Sequence, residues 1–441
     1  MSVTGIDKTA ASSNLLDYSS MVRDEGRYFR VRSEAYCEEK VFQAELKLIF
    51  EKTWGYLCHE SEIPNVGDYR TTYIGRQPVL VVRGRDGAVR AFINRCVHRG
   101  AALCRDVGGN ARAFICPYHG WSYDLAGNLL GITDRDAAGG YGNDFDAPKG
   151  LFALPHVDVY RGFIFGNLNP NAISLLSFLG RSRDVIDQKL NMSPVGEIRI
   201  RSKPYVVQYQ GNWKFSSENI VDQYHFMYVH SPFAKLQAKF GHSTGDFGVH
   251  KGGNAAAMKS TRYNGHSWGT AQGHGLLLQP STDPEKRKES NFAELFEQLS
   301  EKYDEETISK IAGKASASIF PSLGLIHHQI RTWRPLAPEL TEVIVYPYEL
   351  VGVDDELNAG MLRSQERFYG PSGYGMPDDV DIFSQNAQGL RGSALEWLIL
   401  ERGLPTDELD ESGDWHGLST SEAPQRGFWR AWVRAMGGQE A

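Results

Sequence analysis

Two cysteines and two histidines in the first third of the chain form a pair of short, matched motifs. Cys96 and His98 are separated by one residue, and after 17 further residues Cys116 and His119 are separated by two. Thiolates and imidazoles are ligands that proteins offer to transition metals. One zinc ion could take all four side chains. Because each motif mixes one thiolate with one imidazole, the pattern better suits a two-iron cluster, in which two cysteines hold one iron and two histidines hold the other.

The segments around these motifs predict a small β domain, which we place at residues 45–165. Strand-like runs meet at Asp86-Gly87, a dipeptide typical of tight hairpins, and a second tight turn is expected near Gly127-Asn128. The metal motifs would then lie at hairpin tips, with both imidazoles at the exposed end. The other cysteines are interpreted as ordinary structural residues: Cys37, Cys58 and Cys104.

Composition argues against several classes of function. The 441 residues carry a formal net charge of −7, which argues against nucleic acid as a partner. No run approaches the ~18 uninterrupted apolar residues of a transmembrane helix, and the first residues have no apolar stretch fit for a signal peptide. Five scattered cysteines do not suggest a disulfide framework. We therefore expect a reduced protein of the cytoplasm with no membrane partner.

The rest of the chain predicts a larger domain of mixed structure at residues 166–441, and residues 1–44 predict a helical arm. Residues 316–338 and the following TEVIVYPYELVG segment alternate like antiparallel strands. Residues 291–313 carry apolar side chains at the spacing of one amphipathic helix.

Three further segments complete this outline. Residues 213–235 are interpreted as a helix, and the C-terminal GFWRAW segment is predicted to be helical. The Gly- and His-rich residues 241–275 are predicted to form a long loop, a feature that in compact domains is often functional.

A second group of polar residues lies in the segment ENIVDQYHFMYVHSP. His225 and His230 are five residues apart, which on an ideal helix is a rotation of about 140°. They can share one metal only if the helix bends or ends between them, and the Ser-Pro step that follows marks an end nearby. Asp222 and, one turn further back, Asn219 would lie on the His225 face, where Asp222 could hydrogen-bond a ligand imidazole.

Both motifs resemble those of the large (alpha) subunits of Rieske non-haem iron oxygenases, which hydroxylate aromatic rings. The spacing C-x-H-x17-C-x2-H, followed by Gly120 and Trp121, is similar to that of the Rieske [2Fe–2S] domain, and E-N-x-x-D-x-Y-H-x4-H is similar to the catalytic-domain motif. The resemblance runs from about Lys47 to the GFWRAW segment. It implies an α+β fold: a small all-β Rieske domain, and a larger helix-grip (START-like) catalytic domain whose antiparallel sheet is wrapped by helices. The N-terminal arm would pack on this larger domain.

The resemblance also implies cofactors and ligands. His225 and His230 would bind a mononuclear Fe(II), and Asp222 would link one of them to a cluster histidine of a neighbouring subunit, with Asn219 beside it. The [2Fe–2S] cluster would be bound by Cys96, His98, Cys116 and His119.

The third iron ligand would be a carboxylate, because dioxygen-activating iron sites use two histidines and one carboxylate. In the family it lies about 150 residues after the second histidine. Asp379, 149 residues after His230, is therefore preferred to Asp378, and Asp381 is a weaker candidate. An acidic helix N-terminus would explain the charges equally well, although not their position.

The family further implies partners and substrates. Electrons would come from a separate NAD(P)H-dependent reductase, sometimes through a ferredoxin, because no nicotinamide or flavin fingerprint is evident in the chain. The enzyme would be a trimer, with or without a small beta subunit, and would act with O2 on an aromatic small molecule.

The run YLCHESEIPNVGDYRTTYIGRQPVLVVR and the chain length resemble the branch that acts on aromatic carboxylates. A carboxylate substrate needs a cation or several donors, for which Arg334 and Arg391 are candidates. His327 and His328 would face opposite ways on a strand, so one of them could reach the substrate. Two alternatives stay open: a demethylating or monohydroxylating oxygenase, and an electron-transfer Rieske protein whose second domain holds no iron.

Overall fold

The computed structural model describes residues 18–437, except residues 143, 202, 234, 236–264, 282 and 393. Most of the predicted 241–275 loop, like residues 1–17, lies outside the described residues. The C-terminal part of that predicted loop is not irregular, since His266–Gly269 is a strand of the largest sheet.

Three small antiparallel sheets form the unit that carries the Cys/His motifs. Its central strand, Gln77–Arg83, is buried on both faces: Val79 and Val81 face one apolar cluster, and Leu80 and Val82 face another. This follows from the alternation of side chains along a strand. The strands are β3 (Gly55–His59), β4 (Asp68–Ile74), β5 (Gln77–Arg83), β6 (Val89–Ile93), β7 (Gly108–Asn110), β8 (Phe114–Ile115), β9 (Ser122–Tyr123), β10 (Leu129–Gly131), β11 (His156–Tyr160) and β12 (Phe163–Asn167).

Both predicted tight turns of this unit are confirmed. Asp86-Gly87 connects β5 to β6, and Gly127-Asn128 connects β9 to β10. Gly127 has a φ of 84°, and a Cβ there would lie 2.4 Å from the ring of Phe92. Both the left-handed backbone and the close ring therefore require glycine.

A nine-stranded antiparallel sheet organises the larger part of the chain. Its strand order is β14-β20-β19-β18-β17-β16-β15-β24-β23, so most neighbours in sequence are neighbours in the sheet. The strands predicted in residues 316–338 and in the TEVIVYPYELVG segment are confirmed, and they form four adjacent members of this sheet. The strands are β14 (Tyr205–Tyr209), β15 (His266–Gly269), β16 (Gly275–Gln279), β17 (Lys314–Ile319), β18 (Leu323–Ile326), β19 (Gln329–Ala337), β20 (Leu340–Pro347), β23 (Glu408–Leu409) and β24 (Trp415–Leu418).

Helices pack around this sheet, which confirms the predicted α+β class. The predicted C-terminal helix is confirmed, and its fully buried Trp429 and Trp432 belong to one of the two large apolar cores. None of the helices in the described part of the chain is both long and apolar enough to cross a membrane. The helices are α3 (Leu175–Leu179), α4 (Ser182–Asn191), α5 (Lys214–Asn219), α6 (Phe226–Val229), α7 (Pro284–Lys288), α8 (Ala293–Ser300), α9 (Glu305–Ile311), α10 (Asp355–Tyr369), α11 (Met376–Leu390) and α12 (Ala423–Met436).

Two helices predicted as continuous are interrupted, and at each interruption an aspartate side chain accepts hydrogen bonds from backbone amides. Within residues 291–313, Asp304 accepts a hydrogen bond from the Thr307 amide and caps α9, so α8 and α9 are separate. Within residues 213–235, α5 ends at Asn219 and α6 begins only at Phe226. A short polar side chain that satisfies the free amides of a new helix competes with continuation of the old one.

The N-terminal arm, as far as it is described, combines strands with helices. β1 (Val22–Asp24) and β2 (Phe29–Arg32) precede α1 (Glu34–Cys37) and α2 (Glu39–Glu45). β2 pairs with β22 (Trp397–Ile399), which ties the arm to the C-terminal part of the chain. A further two-stranded sheet joins β13 (Ile198–Arg199) to β21 (Glu349–Leu350).

Candidate metal centres

The two Cys/His motifs form a matched pair of loops. In each, the amide of a glycine four residues after the cysteine donates to the cysteine carbonyl: Gly100 to Cys96 at 3.1 Å and Gly120 to Cys116 at 3.0 Å. Both glycines have positive φ, 78° and 71°, and a Cβ at Gly120 would lie 2.5 Å from the Thr133 hydroxyl. The glycine after each motif is therefore required by the turn that presents the ligands.

The side chains of these loops suit an iron–sulfur cluster. The thiols of Cys96 and Cys116 are free and buried, only 2% and 3% exposed, whereas His98 and His119 are half-buried. Nδ1 of His98 is buried without a hydrogen-bond partner. Desolvation, then His98 and Arg99, lower the pKa of His119, which favours the neutral imidazole that metals bind. Thiols inside and imidazoles outside are the arrangement predicted for a cluster near the surface.

A single zinc ion fits this geometry poorly. Tetrahedral zinc holds its sulfur and nitrogen ligands roughly 3–4 Å from one another. Within the part of the chain that the structure describes, one set of three His, Cys, Asp or Glu ligand atoms lies within 4.8 Å of each other, and it does not involve these loops. The wider spread of the four loop ligands fits two irons sharing them.

Aromatic side chains surround the loop ligands. The hydroxyl of Tyr123 lies 3.2 Å from Sγ of Cys96, and burial, followed by that contact, raises the pKa of Tyr123, so the hydroxyl stays protonated and can donate to a thiolate. The ring of Trp121 stacks on His98 at 4.8 Å, and the hydroxyl of Tyr141 lies 3.4 Å from its Nε2. Hydrogen bonds to the sulfurs and fixed imidazoles are known to tune the potential of iron–sulfur sites.

The set of three ligand atoms is formed by His225, His230 and Asp379. One carboxylate oxygen of Asp379 lies 3.5 Å from Nε2 of His225 and 3.2 Å from Nε2 of His230. His230 is 3% exposed and Asp379 is 7% exposed, so the group is shielded from bulk water. Two imidazoles and one carboxylate are the ligand set of dioxygen-activating iron sites, which leave other positions open.

The backbone explains how residues five apart converge. α6 is one turn long, with His225 immediately before it and His230 immediately after it, and the chain turns at His230 before residues 231–233 become helical again. The required break therefore falls at His230 itself. Asp379 enters from the first turn of α11, where it is buried.

Second carboxylates lie behind both imidazoles. Asp222 is 3.6 Å from Nδ1 of His225, and Asp378 is 3.6 Å from Nδ1 of His230. Burial opposes protonation of His225, but Asp222 and Asp379 outweigh it and raise the pKa of that imidazole. The two aspartates of the predicted doublet thus take different positions: Asp379 faces the metal-binding side, and Asp378 lies behind His230. Such outer carboxylates orient ligand imidazoles.

Asn219 lies beside the ligand atoms, but not because it shares a helix face with Asp222, as was predicted. Its side-chain nitrogen lies 3.3 Å from Nε2 of His225 and 3.3 Å from the Asp379 carboxylate. Because α5 has ended before Asp222, the two residues do not share a helix face. Asp381 is turned away: it accepts a hydrogen bond from Gln385 on the exposed side of α11.

A cavity of about 770 Å³ opens beside this group. Its walls include His225, His230 and Asp379 at one end, and Phe292 and Phe296 among its apolar lining. The volume falls within the ~300–1,000 Å³ typical of small-molecule sites. The arrangement can therefore place an organic ligand next to a metal held by the three side chains.

The two arginines predicted to meet a substrate lie elsewhere. Arg334 pairs with Glu342 at 3.4 Å and lies over the ring of Tyr73, and the exposed Arg391 pairs with Glu339. Arg334 lies on the less buried face of β19, and Arg391 directly follows the last residue of α11. Neither side chain lines the cavity.

His327 and His328 do not sit on a strand with opposed side chains. They form the turn between β18 and β19, where His327 has a φ of 46°, and both line the cavity. The alternation expected of a strand therefore does not apply to them.

The sequence analysis missed two cavity residues, each a basic side chain at a position of a helix or strand whose neighbours on the same face are buried. Lys189 follows Val185 and Ile186 on the buried stripe of α4, and Arg331 occupies an inward position of β19 between Gln329 and Trp333. A charged residue within a buried stripe is unusual unless it is paired or functional. A basic residue within a run of buried positions was therefore the sequence feature that could have identified these two cavity residues.

Comparisons with known proteins agree with this geometry. Residues 53–143 match the family model of the Rieske [2Fe–2S] domain, and residues 191–438 match that of the ring-hydroxylating alpha subunit catalytic domain. The toluate 1,2-dioxygenase subunit alpha of Pseudomonas putida is 36% identical over 86% of this chain and 84% of its own length. The 2-halobenzoate 1,2-dioxygenase large subunit of Burkholderia cepacia is 35% identical over 86% of this chain and 80% of its own length.

A solved structure of naphthalene 1,2-dioxygenase with indole bound in the active site superimposes with a TM-score of 0.83, at 26% identity, covering 96% of both chains. The chain therefore belongs to the ring-hydroxylating dioxygenase alpha subunits, oxidoreductases that use O2. Its cofactors are a Rieske [2Fe–2S] cluster and a mononuclear iron. Alpha subunits of this family typically work with a reductase and within an oligomer.

Proposed function

We propose that this chain hydroxylates the ring of an aromatic carboxylate. The observation that carries the proposal is the convergence of His225 Nε2, His230 Nε2 and the Asp379 carboxylate at one end of the 770 Å³ cavity. The toluate and 2-halobenzoate enzymes, named for substituted benzoates, support the substrate class. Electrons would come from a separate NAD(P)H-dependent reductase, directly or through a ferredoxin.

In this proposal the loop ligands hold the cluster and the cavity ligands hold the iron. When bound, the cluster supplies single electrons and the mononuclear iron activates dioxygen. The chain itself positions the ligands: Tyr123 donates to the Cys96 sulfur, and Trp121 fixes the plane of His98. Phe292 and Phe296 give the cavity an apolar surface against which an aromatic ring would pack. The cluster ligands are Cys96, His98, Cys116 and His119, and the iron ligands are His225, His230 and Asp379.

Asp222 would serve as the bridge to the cluster of a neighbouring subunit. One carboxylate oxygen accepts from the amides of Tyr224 and His225, at 2.6 and 3.2 Å, and so fixes the turn that leads into α6. The other faces the ring of His225, and the side chain remains 32% exposed. A carboxylate that is anchored on one side and reachable on the other suits an inter-subunit contact. Asn219, whose side-chain nitrogen lies close to both groups, would hold the His225 ring and the Asp379 carboxylate in fixed positions relative to each other.

We further propose an arm at residues 1–44, a Rieske domain at 45–165 and a catalytic domain at 166–441. The assembly would be a homotrimer, or a trimer of alpha subunits with small beta subunits. All five cysteines are free, in keeping with a cytoplasmic location.

Replacing Asp378 by asparagine is expected to lower iron affinity about 10- to 100-fold, because the His230 imidazole loses the carboxylate behind it. Iron content after dialysis against a graded series of chelator concentrations measures this. Asp381→Asn is the matched control, since Asp381 is three residues further on the same helix, is exposed, and accepts a hydrogen bond from Gln385. Equal iron retention in both variants would contradict a supporting role for Asp378.

Oxygen uptake with a panel of aromatic acids and a generic reductase system tests the proposed function. We expect uptake matched by formation of a ring-hydroxylated product from at least one benzoate. Release of formaldehyde from methoxy- or N-methyl-substituted acids, without ring hydroxylation, would instead identify a demethylating oxygenase. Reduction of the cluster with no substrate-dependent uptake would identify an electron carrier.

A further inference from the structure

Three cations that line the cavity have no carboxylate partner among the residues that the structure describes. Lys189, Lys314 and Arg331 form no ion pair with any of these residues. Other basic residues of the cavity wall are neutralised: Lys286 pairs with Asp283 at 3.4 Å, and Arg287 pairs with Glu305. Lys189 and Arg331 are buried, and buried cations are normally paired or functional because an isolated charge in a low-dielectric site is costly.

The ammonium groups of the two lysines differ from the Arg331 guanidinium in having no hydrogen bond to another described residue. Arg331 donates to Gln329 at 2.8 Å and stacks on the ring of Tyr369 at 4.6 Å. Lys189 comes from the buried stripe of α4 and is 9% exposed. Lys314, the first residue of β17, is exposed and also lines the cavity. No ion pair within the described part of the chain therefore holds these lysines in place.

Lys189 and Lys314 both line the cavity, and the elements that carry them, α4 and β17, pack against each other. Burial, and then Lys189 and Lys314, hold the pKa of His327 well below its usual range, so both ammonium groups act on the same imidazole. Burial lowers the pKa of Lys189 to about 7. Burial and Lys189 lower the pKa of His328 to about 3, so both neighbouring imidazoles are neutral donors or acceptors. The wall made by α4, β17 and the β18–β19 turn is thus positively charged and lacks a counterion from the described chain.

We propose that Lys189 and Lys314 together bind the carboxylate of the aromatic substrate and so direct its ring toward His225, His230 and Asp379. This rests on the proposed function and names the residues that would select its substrate class. A carboxylate between two ammonium groups makes charge-assisted hydrogen bonds and supplies the missing negative charge. The aromatic walls of the cavity then hold the ring by its faces.

Equilibrium binding to the metal-loaded enzyme, measured by titration calorimetry at pH 6.5, tests the proposal. The probes are benzoate, 2-hydroxybenzoate and 4-methylbenzoate, each compared with its amide, which has the same shape and no charge. We expect the wild type to bind at least one acid about tenfold or more tightly than its amide. Lys189→Met and Lys314→Met should each weaken binding of that acid about 10- to 100-fold and leave its amide within about threefold.

The matched control is Lys310→Met, because Lys310 is exposed, pairs with Glu306 and lies outside the cavity lining. Lys189→Gln and Lys314→Gln repeat the test, with cluster absorbance and the thermal unfolding midpoint as checks of folding. Lys314→Arg should retain the preference for the acid, since it keeps the charge.

The outcomes separate this inference from the proposed function. If the wild type oxidises aromatic acids but the lysine variants keep the wild-type preference for acid over amide, the lysine assignment fails and the proposed function stands. A loss of that preference only in Arg331→Met would assign the carboxylate to Arg331 and overturn the proposal. If the wild type neither binds nor oxidises any of the acids, the substrate class fails and this inference fails with it.

Discussion

Replacing His225 by alanine is expected to abolish ring hydroxylation while leaving the visible spectrum of the cluster unchanged. The iron would lose one of two imidazole ligands, and its remaining partners, His230 and Asp379, cannot complete a two-histidine, one-carboxylate set. Loss of activity should exceed the ~100-fold that weakening an outer partner of a ligand causes. Iron content should fall by about one atom per chain, the mononuclear site, while acid-labile sulfide stays constant. Product formation, metal analysis and absorbance on the same sample measure the three quantities.

The control for this variant is His416→Ala, because His416 lies on β24 and faces Glu408 rather than the cavity. It should keep activity and iron content. Ring hydroxylation at more than about one hundredth of the wild-type rate in His225→Ala would show that His225 does not hold the iron.

Replacing Lys214 by methionine is expected to destabilise the larger domain by about 3–5 kcal/mol, because it leaves a buried carboxylate without its counterion. Glu45 and Lys214 are both fully buried and pair at 2.5 Å, and Glu45 also accepts from the indoles of Trp213 and Trp432 at 2.8 and 2.7 Å. Glu45 ends α2, Lys214 begins α5 and Trp432 lies in α12, so one charged contact joins three distant segments. Guanidinium unfolding followed by tryptophan fluorescence measures the change in free energy of unfolding.

A control variant and a double variant test whether the buried charge causes this loss of stability. Lys47→Met removes an exposed lysine that pairs with Glu51, and it should change the free energy of unfolding by less than about 1 kcal/mol. Glu45→Gln combined with Lys214→Met removes both charges and should recover a large part of the lost stability. A destabilisation below about 1 kcal/mol in Lys214→Met alone would show that the pair does not contribute through its charge.

Features set by local sequence could be predicted. The Cys/His loops, the Asp86-Gly87 and Gly127-Asn128 turns and the C-terminal helix each depend on residues a few positions apart. The preference for Asp379 over Asp378 came from family spacing, and the structure places Asp379 on the ligand side because the two neighbours on α11 differ by ~100° in direction. The sequence therefore predicted the loops and turns of the β unit better than it predicted the basic residues that line the cavity.

Features set by distant contacts could not be predicted. The break before α6 depends on the Asp222 side chain satisfying two amides, which competes with a continuous helix of similar composition. Arg334 and Arg391 were chosen for charge alone, but Glu342 across the sheet and Glu339 in a loop neutralise them. Lys189 and Lys314 face the same space only because α4 packs against β17, a contact between segments more than 100 residues apart.

The iron and acid-labile sulfide content of the purified, fully metal-loaded protein tests the central claim most directly. Two metal centres on one polypeptide predict about three irons and two sulfides per chain, with one iron lost in His225→Ala. A single zinc ion without sulfide would contradict the cluster, and about two irons with two sulfides in the wild type would contradict the second centre.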